Sequence, residues 1–299
     1  MCGIVGLFIK NPKFESELGT MLSTMLDVMT GRGPDSAGFA VYGKGHDGVV
    51  KMSIRGGTAT DFNAVAADLE RATGAALSLT VRSTHAILEL PADRESAVRA
   101  ALHDRHPDLG VVGSGQRIEI YKEVGLPADV ARRFDLARMT GTHGIGHTRM
   151  ATESAVTTAG AHPFSTGPDQ CLVHNGSLSN HNVLRRTLIR EGIGFTTDND
   201  SEVAAGYLTA RLRQGDTLKQ ALTRSLDALD GFFTFVVGTE SGFAVLRDPI
   251  ACKPAVMAET DDYVAFGSEY RALADLPGIA KAKVWEPEPA TVYSWERAA

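Results

Sequence analysis

Cys2 directly follows the initiator methionine, so removal of Met1 would leave one residue that carries both a thiol and a free α-amine. The unperturbed pKa of a thiol is about 8.5, and that of an α-amine is about 7.7–8.0. Because part of the amine is neutral near neutral pH, it can take the thiol proton without a separate histidine. The position therefore suits a nucleophile that carries its own base, although a small buried residue near a chain end would have the same sequence.

Further candidates for the same site are Arg32, Arg149, the pair Asn175-Gly176, and Asp200. Each has a purely structural explanation when it is considered alone. Arg149 could form a surface ion pair, Asn175-Gly176 is a typical turn dipeptide, and Asp200 could be a helix-start charge that the helix dipole favours. Only the combination and order of these residues favours a shared chemical role.

The composition of the 299-residue chain is that of an ordinary globular protein, with 43% hydrophobic and 22% charged residues. A formal net charge of −6 provides no basic surface, so we expect no nucleic-acid partner. No apolar run approaches the roughly 20 residues that cross a bilayer, and the N-terminus lacks the layout of a secretory signal. We therefore expect a cytoplasmic protein that does not associate with membranes.

Cysteine and histidine spacing predicts neither a disulfide framework nor a metal site. The three cysteines, Cys2, Cys171 and Cys252, are widely separated, which suits a reducing cytoplasm. His143 and His147 have the four-residue spacing of a zinc-binding helix, but the two glycines between them argue against a helix. We therefore expect no metal bound by this chain.

Hydrophobic periodicity predicts the elements that would position the N-terminal candidates. Residues 4–9 form a short apolar run typical of a buried strand, which would place Cys2 at the lip of a sheet. Apolar residues at three- and four-residue spacing over 18–29 predict an amphipathic helix, and the glycine-rich stretch 31–36 should end it. Residues 39–42 and 49–54 are predicted to be two strands of a hairpin.

The stretch from about 56 to about 138 is predicted to be a small α+β unit inserted into the main domain. Its histidines, His85, His103 and His106, are scattered, and we expect them to be solvated. Farther along, Asn199 is a predicted N-cap with Glu202 completing a capping box. Short strands at both ends of the chain, with helices between them, favour an α+β fold of stacked antiparallel sheets flanked by helices.

Six short segments follow one another along the chain: Met1-Cys2-Gly3-Ile4-Val5-Gly6, Arg32-Gly33-Pro34-Asp35-Ser36-Ala37-Gly38, Gly146-His147-Thr148-Arg149, His162-Pro163-Phe164, His174-Asn175-Gly176 and Asp200-Ser201-Glu202. Taken together and in this order, they resemble the motifs of the class II glutamine amidotransferases, a family of N-terminal nucleophile hydrolases. Arg247-Asp248-Pro249 followed by Lys253-Pro254 is similar to a late motif of the same family. The resemblance covers about two-thirds of the chain and implies a four-layer αββα sandwich.

The resemblance also implies catalytic roles. The Cys2 thiolate would attack the side-chain carbonyl of L-glutamine, and the Cys2 α-amine would take the thiol proton and return one to the leaving ammonia. The Asn175 side-chain amide and the Gly176 backbone N–H would hold the developing oxyanion. A γ-glutamyl thioester would form, and water would release glutamate from it.

Substrate-binding roles follow from the same resemblance. Arg149 would bind the α-carboxylate of glutamine through its planar pair of donors. Asp200 would pair with the α-ammonium, and Thr152 would line the pocket. Arg32 would brace the site without touching glutamine.

No part of the sequence resembles a nitrogen-accepting synthetase domain, so we expect the acceptor site on another polypeptide. The arrangement resembles the stand-alone amidotransferase subunit of N-methylglutamate synthase and other glutamate-synthase-like enzymes. This implies no cofactor in this chain, with FMN and an iron–sulfur cluster on a separate synthase subunit, because three scattered cysteines cannot supply four thiolates. We expect the insert to serve partner docking or gating of the ammonia exit.

Two alternatives remain open from the sequence. The chain could be a stand-alone amidohydrolase that acts on another amide, although Arg149 and Asp200 suit a free amino acid. It could also be a non-catalytic subunit that keeps the fold for assembly, although Cys2, Asn175 and Gly176 are all present.

Overall fold

The structure, a computed structural model, describes residues 2–151 and 155–297. Within these residues the chain forms three antiparallel sheets with helices packed on them. The strands are β1 Gly3–Ile9, β2 Ser36–Tyr42, β3 Val49–Arg55, β4 Ser78–Arg82, β5 His85–Pro91, β6 Gly110–Gly115, β7 Ile118–Val124, β8 His143–Arg149, β9 Phe164–Gly167, β10 Gln170–Leu178, β11 Gly231–Gly238, β12 Gly242–Arg247, β13 Val256–Glu259, β14 Tyr263–Gly267, β15 Lys283–Trp285 and β16 Val292–Glu296. The α-helices are α1 Leu18–Val28, α2 Phe62–Thr73, α3 Glu95–Arg105, α4 Pro127–Arg133, α5 His181–Arg190, α6 Asp200–Arg213 and α7 Leu218–Ala228.

Two large sheets pack face to face to form the centre of the molecule. One has the strand order β15-β13-β14-β1-β8-β2-β7, and the other has the order β16-β12-β11-β10-β9. Ile4 and Phe8 of the first sheet meet Val173 and Phe243 of the second in a shared buried cluster. Helices α1 and α4 pack on the outer face of the first sheet, and α6 and α7 pack on the outer face of the second. The predicted αββα sandwich is confirmed.

Helix α1 forms where the apolar spacing predicted it. Leu18, Leu22 and Met25 are fully buried against the seven-stranded sheet. Burying each such side chain contributes about 1.5–3 kcal/mol to stability, which fixes the helix on the sheet. The helix ends in a 3₁₀ turn, Met29–Arg32, and this turn delivers Arg32 to the end of the sheet where β1 begins.

The predicted hairpin between β2 and β3 is wrong. Strand β2 pairs with β7 and β8 in the seven-stranded sheet, whereas β3 pairs with β5 and β6 in a separate sheet. The alternation of apolar residues identified both strands, but it does not specify which strand each one pairs with. The glycine-rich connection between them crosses from one sheet to the other instead of folding back.

The third sheet has the order β4-β5-β3-β6 and carries α2 and α3 around its own buried cluster. It runs from Val49 to Gly115, whereas the sequence predicts an insert from about 56 to about 138. Strand β7 pairs along β2, and α4 packs with α1, because their apolar residues complete the main core. His85 on β5 is fully buried beside Phe134, so the expectation that it is solvated is wrong.

Candidate active site

Cys2 lies immediately before β1, the central strand of the seven-stranded sheet. Its side chain is half-buried, and the thiol donates a weak hydrogen bond to the backbone carbonyl of Met150 over 4.0 Å. Met150 directly follows β8, the strand that pairs with β1. The sulfur therefore lies at the end of the sheet where β1 begins, as the sequence predicts, and beside the end of β8, the strand that carries Arg149.

Two of the predicted site residues bind the backbone carbonyl oxygen of Cys2. Arg32 donates to this oxygen from Nε over 3.0 Å, and Asn175 donates from Nδ2 over 3.2 Å. Arg32 is buried, and its Nη1 also donates to Oε1 of Glu269 over 2.7 Å. This hydrogen bond holds the pKa of the Glu269 carboxyl below its usual value. Arg32 thus holds the Cys2 backbone from one side while Asn175 holds it from the other.

Arg149 is the last residue of β8 and lies opposite Ser36 of β2. Its side chain is buried, so it does not lie on the surface, where the alternative from the sequence would place it. Nη1 of Arg149 donates to the backbone carbonyl of Ala155 over 3.2 Å. The guanidinium is therefore held at the same end of the sheet as Cys2.

Asn175 and Gly176 lie within β10 and do not form a turn, so the turn alternative is wrong. Both residues pair with β11 in an unbroken antiparallel register. Gly176 has a φ of 155°, and a Cβ at this position would lie 2.0 Å from the carbonyl oxygen of Phe232. Only glycine fits there, because no neighbouring backbone atom can yield so far. The strand therefore presents the Asn175 amide and a glycine peptide side by side.

Asp200 is the first residue of α6, and the preceding Asn199 is the N-cap, as predicted, accepting from the Ser201 N–H over 2.9 Å. The capping box is not formed, because the Glu202 carboxylate binds residues 196 and 197 instead. Oδ2 of Asp200 accepts from the backbone N–H of Leu178 over 2.9 Å. This bond ties the carboxylate to β10, two residues beyond Gly176.

The structure thus brings most of the predicted site residues to one end of the sandwich. Cys2, Arg32 and Asn175 are in direct contact, and Gly176 follows Asn175 on the same strand. Arg149 ends the strand beside β1, and Asp200 is bonded to β10. Thr152 lies outside the described residues.

Two residues that contact the site, His147 and Glu269, were not assigned to it from the sequence. His147 on β8 donates from Nε2 to the backbone carbonyl of His174, the residue before Asn175, over 3.0 Å. Complete burial lowers the pKa of His147 to about 3, so the ring is neutral and works as a hydrogen-bond donor. His147 lies inside a segment that resembles a family motif, so the sequence did contain a signal that could have assigned it to the site. Glu269 carried no comparable pattern.

The described part of the chain contains no cluster of three or more His, Cys, Asp or Glu residues placed to hold a metal ion. His143 and His147 lie on a strand, where a four-residue spacing does not bring their rings around one ion. Among the helices of residues 2–151 and 155–297, none has the length and apolar character to cross a bilayer.

Comparison with known proteins agrees with this geometry. A family model described as "Glutamine amidotransferase domain" matches residues 147–275. The chain is 64% identical over 297 residues to the "Glutamine amidotransferase-like protein GlxB" of Rhizobium meliloti (strain 1021), covering 99% of this chain and 98% of that protein. The chain belongs to the class II glutamine amidotransferases. This confirms the family inferred from the motifs.

Two further sets of relatives extend the comparison. A "Putative glutamine amidotransferase" of Methanothermobacter thermautotrophicus is 33% identical, over 98% of this chain and 99% of that protein. Among solved structures, the glutamine PRPP amidotransferase of B. subtilis, in complex with ADP and GMP, has a TM-score of 0.61 at 20% identity. A regulatory enzyme of purine biosynthesis gives a TM-score of 0.62 at 20% identity. Both matches cover 99% of this amidotransferase and 49% of the longer chains, and at 20% identity they show the fold alone.

As a class II glutamine amidotransferase, the protein is an enzyme with an N-terminal cysteine nucleophile. The observed arrangement can support acyl transfer to that cysteine. A side-chain amide donor lies beside the nucleophile, and a guanidinium and a carboxylate are held near the same end of the sandwich. These are the groups that would bind a polarised carbonyl and the two charged groups of a free amino acid.

Proposed function

We propose that this chain hydrolyses L-glutamine through a γ-glutamyl thioester on Cys2 and passes the ammonia to a separate synthase subunit. One observation carries the proposal: Asn175 and Arg32 both bond to the backbone of Cys2, which fixes an amide donor next to the nucleophile. Such fixed donors stabilise the charge that develops on a carbonyl oxygen without reorganisation during the reaction.

In the proposed reaction, Sγ of Cys2 attacks the side-chain carbonyl carbon of glutamine as the Cys2 α-amine takes the thiol proton. The carbonyl oxygen becomes an oxyanion that accepts from Nδ2 of Asn175 and the N–H of Gly176. The C–N bond then breaks, and the proton held by the α-amine goes to the leaving ammonia. Water attacks the thioester, releases glutamate and restores the thiol.

Arg149 and Asp200 are proposed to select the amino-acid end of the substrate. The planar guanidinium of Arg149 suits a two-donor contact with the α-carboxylate, and the Asp200 carboxylate suits the α-ammonium. Thr152 is proposed to line the same pocket. This pair of charges would favour glutamine over simple amides, which lack both charged groups.

The nitrogen acceptor is proposed to lie on a glutamate-synthase-like partner, as in N-methylglutamate synthase, in the cytoplasm. FMN and an iron–sulfur cluster would belong to that partner. Relatives of two kinds support a separate acceptor: the match covers 98% of the amidotransferase-like protein GlxB and 99% of the putative glutamine amidotransferase, but only 38% of the amidophosphoribosyltransferase of Methanocaldococcus jannaschii. The cluster is assigned to the partner because it needs four thiolates and this chain has three scattered cysteines. Cys2 is at the candidate site, Cys171 is buried and Cys252 is exposed.

The nucleophile can be tested by replacing Cys2 with alanine and measuring glutaminase activity and labelling by a glutamine-analogue electrophile. We expect wild type to lose Met1, to be labelled at the new N-terminus and to release glutamate. Cys2→Ala should lose labelling and activity but keep its thermal stability, whereas Cys252→Ala should keep labelling and activity.

Near-normal turnover by Cys2→Ala would overturn the mechanism. If wild type does not hydrolyse glutamine, with or without the partner, the role as a non-catalytic assembly subunit is favoured. Faster turnover of simple amides than of glutamine would favour the amidohydrolase.

The partner can be tested by purifying the tagged chain from the cells that produce it and recording its absorption spectrum. We expect a larger, coloured flavoprotein to co-purify in fixed ratio, and equally well with Cys2→Ala, because docking does not require the thiol. A chain that purifies alone, with glutamine hydrolysis at full rate, would contradict a synthase partner.

A further inference from the structure

A cavity of about 730 Å³ separates the four-stranded sheet unit from the main sandwich. Helix α3 and strand β6 form one wall, and β9 and α6 form the other. Cys2, Asn175, Arg149 and Asp200 do not line it, so it is distinct from the candidate active site. Its volume is in the range of cavities that bind small organic molecules.

Basic side chains dominate the charged lining of this cavity. Arg55 contributes from the end of β3, Arg99 from α3, Lys122 from β7 and Arg213 from the end of α6. Among the described residues, the side chains of Arg55 and Arg213 make neither a hydrogen bond nor an ion pair. Two guanidinium groups with free donors therefore face the same space from opposite walls.

The two acidic residues in the lining are already occupied. Glu95 accepts from Arg99 over 2.8 Å and from Ser114 over 2.7 Å. Glu202 accepts from the backbone N–H groups of Thr196 and Thr197 over 2.8 and 2.7 Å, and also from both of their hydroxyls. Neither carboxylate needs a cation from solution, so the unsatisfied charge in the cavity is positive.

The floor of the cavity adds a buried ammonium. Nζ of Lys122 donates to the backbone carbonyls of Ala159, Ala161 and Pro163 over 3.1, 2.8 and 3.3 Å and lies 4.5 Å from the centre of the Phe164 ring. Complete burial lowers the pKa of Lys122 to about 7. An anion in the cavity would favour the charged form of this lysine, because opposite charges attract strongly where water is excluded.

We propose that this cavity binds a small organic anion, carrying a carboxylate or a phosphate, between Arg55 and Arg213. Guanidinium groups suit both anions, because their planar donors match two oxygens at once. The apolar parts of Val112 and Phe195, which also line the cavity, would contact the carbon skeleton of the ligand. Binding at this site does not depend on glutamine hydrolysis.

The test is calorimetric titration of the full chain with two probes, glutarate and glycerol 3-phosphate, with glycerol and added chloride as controls. We expect saturable binding of at least one probe, which also identifies the anion type. Arg55→Gln and Arg213→Gln should each weaken it by about 10-fold or more, the loss typical of a charged hydrogen bond. Arg190→Gln, an exposed arginine on α5 outside the cavity, should bind like wild type.

Three outcomes would overturn this inference. Binding of neither probe would show that the cavity has no affinity for these anions. Suppression of binding by Arg149→Gln, with no effect of Arg55→Gln, would place the anion in the glutamine pocket. If chloride gave the same binding signal as the probes, the cavity would only screen charge and would not recognise an organic anion. Thermal unfolding of each variant shows that it is folded before it is titrated, and Arg55→Lys, which keeps the charge, should restore part of the affinity.

Discussion

The side-chain amide nitrogen of Asn175 lies 3.2 Å from the backbone carbonyl oxygen of Cys2 and donates to it. The two residues belong to different sheets: Cys2 precedes β1 of the seven-stranded sheet, and Asn175 lies on β10 of the five-stranded sheet. The contact therefore spans the sandwich, and the packing between the sheets sets the distance between the nucleophile and the proposed oxyanion donor.

Replacing Asn175 with alanine should lower kcat for glutamine about 10²–10³-fold, because one oxyanion donor is removed from the transition state. KM should change little, since the amide is not proposed to bind the charged groups of the substrate. Glutamate release under saturating glutamine measures the effect. Asn182→Ala, at an exposed position on α5, is the matched control and should behave like wild type. A loss smaller than 10-fold would remove Asn175 from the proposed mechanism.

Gly176→Ala should destabilise the protein by about 3 kcal/mol or more and abolish activity. The new methyl group would meet the Phe232 carbonyl at 2.0 Å and Nε2 of His174 at 2.7 Å, on a backbone with a φ of 155°. Overpacking and backbone strain each cost about 1–3 kcal/mol. Urea unfolding gives the change in the free energy of unfolding.

Gly192→Ala separates these two contributions. Gly192 also has a positive φ, 82°, but a Cβ there would have no atom within 4 Å. Gly192→Ala should therefore lower the free energy of unfolding only by the backbone strain of a positive φ, about 1–2 kcal/mol, and leave activity intact. Equal destabilisation by the two substitutions would show that the close approach of β11 to Gly176 is unimportant.

Asp200→Asn should raise KM for glutamine while its effect on an analogue without the α-ammonium, glutaramate, stays small. Asparagine retains an oxygen that can accept from the Leu178 N–H, so the tie between α6 and β10 is preserved. Comparing kcat/KM for glutamine and glutaramate isolates the contribution of the charge on Asp200, because only glutamine carries the α-ammonium. If both amides lose activity in the same proportion, Asp200 has only a structural role.

The elements predicted with success are those whose own residues determine them. The apolar spacing of α1 and the apolar run of β1 depend on local periodicity, and both elements form as predicted. The candidate site residues were proposed because several short segments matched one family in order, and the structure places Arg32 and Asn175 against Cys2. Local pattern and motif order were sufficient to predict the sandwich and to name the two residues that contact the Cys2 backbone.

The features that were missed depend on contacts between distant parts of the chain. Asn175-Gly176 has turn chemistry, but pairing with β11 on one side holds it in a strand. The partners of β2 and β3 are chosen by burial of whole sheets, which alternation within one strand cannot reveal. Glu269 reaches Arg32 across 237 positions of sequence, so no local pattern could identify it.

The pH dependence of stability should contain a contribution from His143. The ring is fully buried against Tyr42, its Nε2 donates to the Thr239 carbonyl over 2.9 Å, and burial lowers its pKa to about 3. In the unfolded chain the pKa of histidine is about 6.5. Between these values the unfolded state binds more protons, so stability falls as the pH falls through this window.

When the pH falls from about 7 to about 5, we therefore expect the free energy of unfolding to fall by about 2 kcal/mol more in wild type than in His143→Gln. Glutamine is uncharged throughout and keeps a donor for the Thr239 carbonyl. Urea unfolding at both pH values measures the difference, and His46→Gln, at an exposed position between β2 and β3, should follow wild type. If His143→Gln loses as much stability as wild type, the ring must already gain its proton in the folded state, and the neutral, buried donor inferred from the contact with Thr239 is wrong.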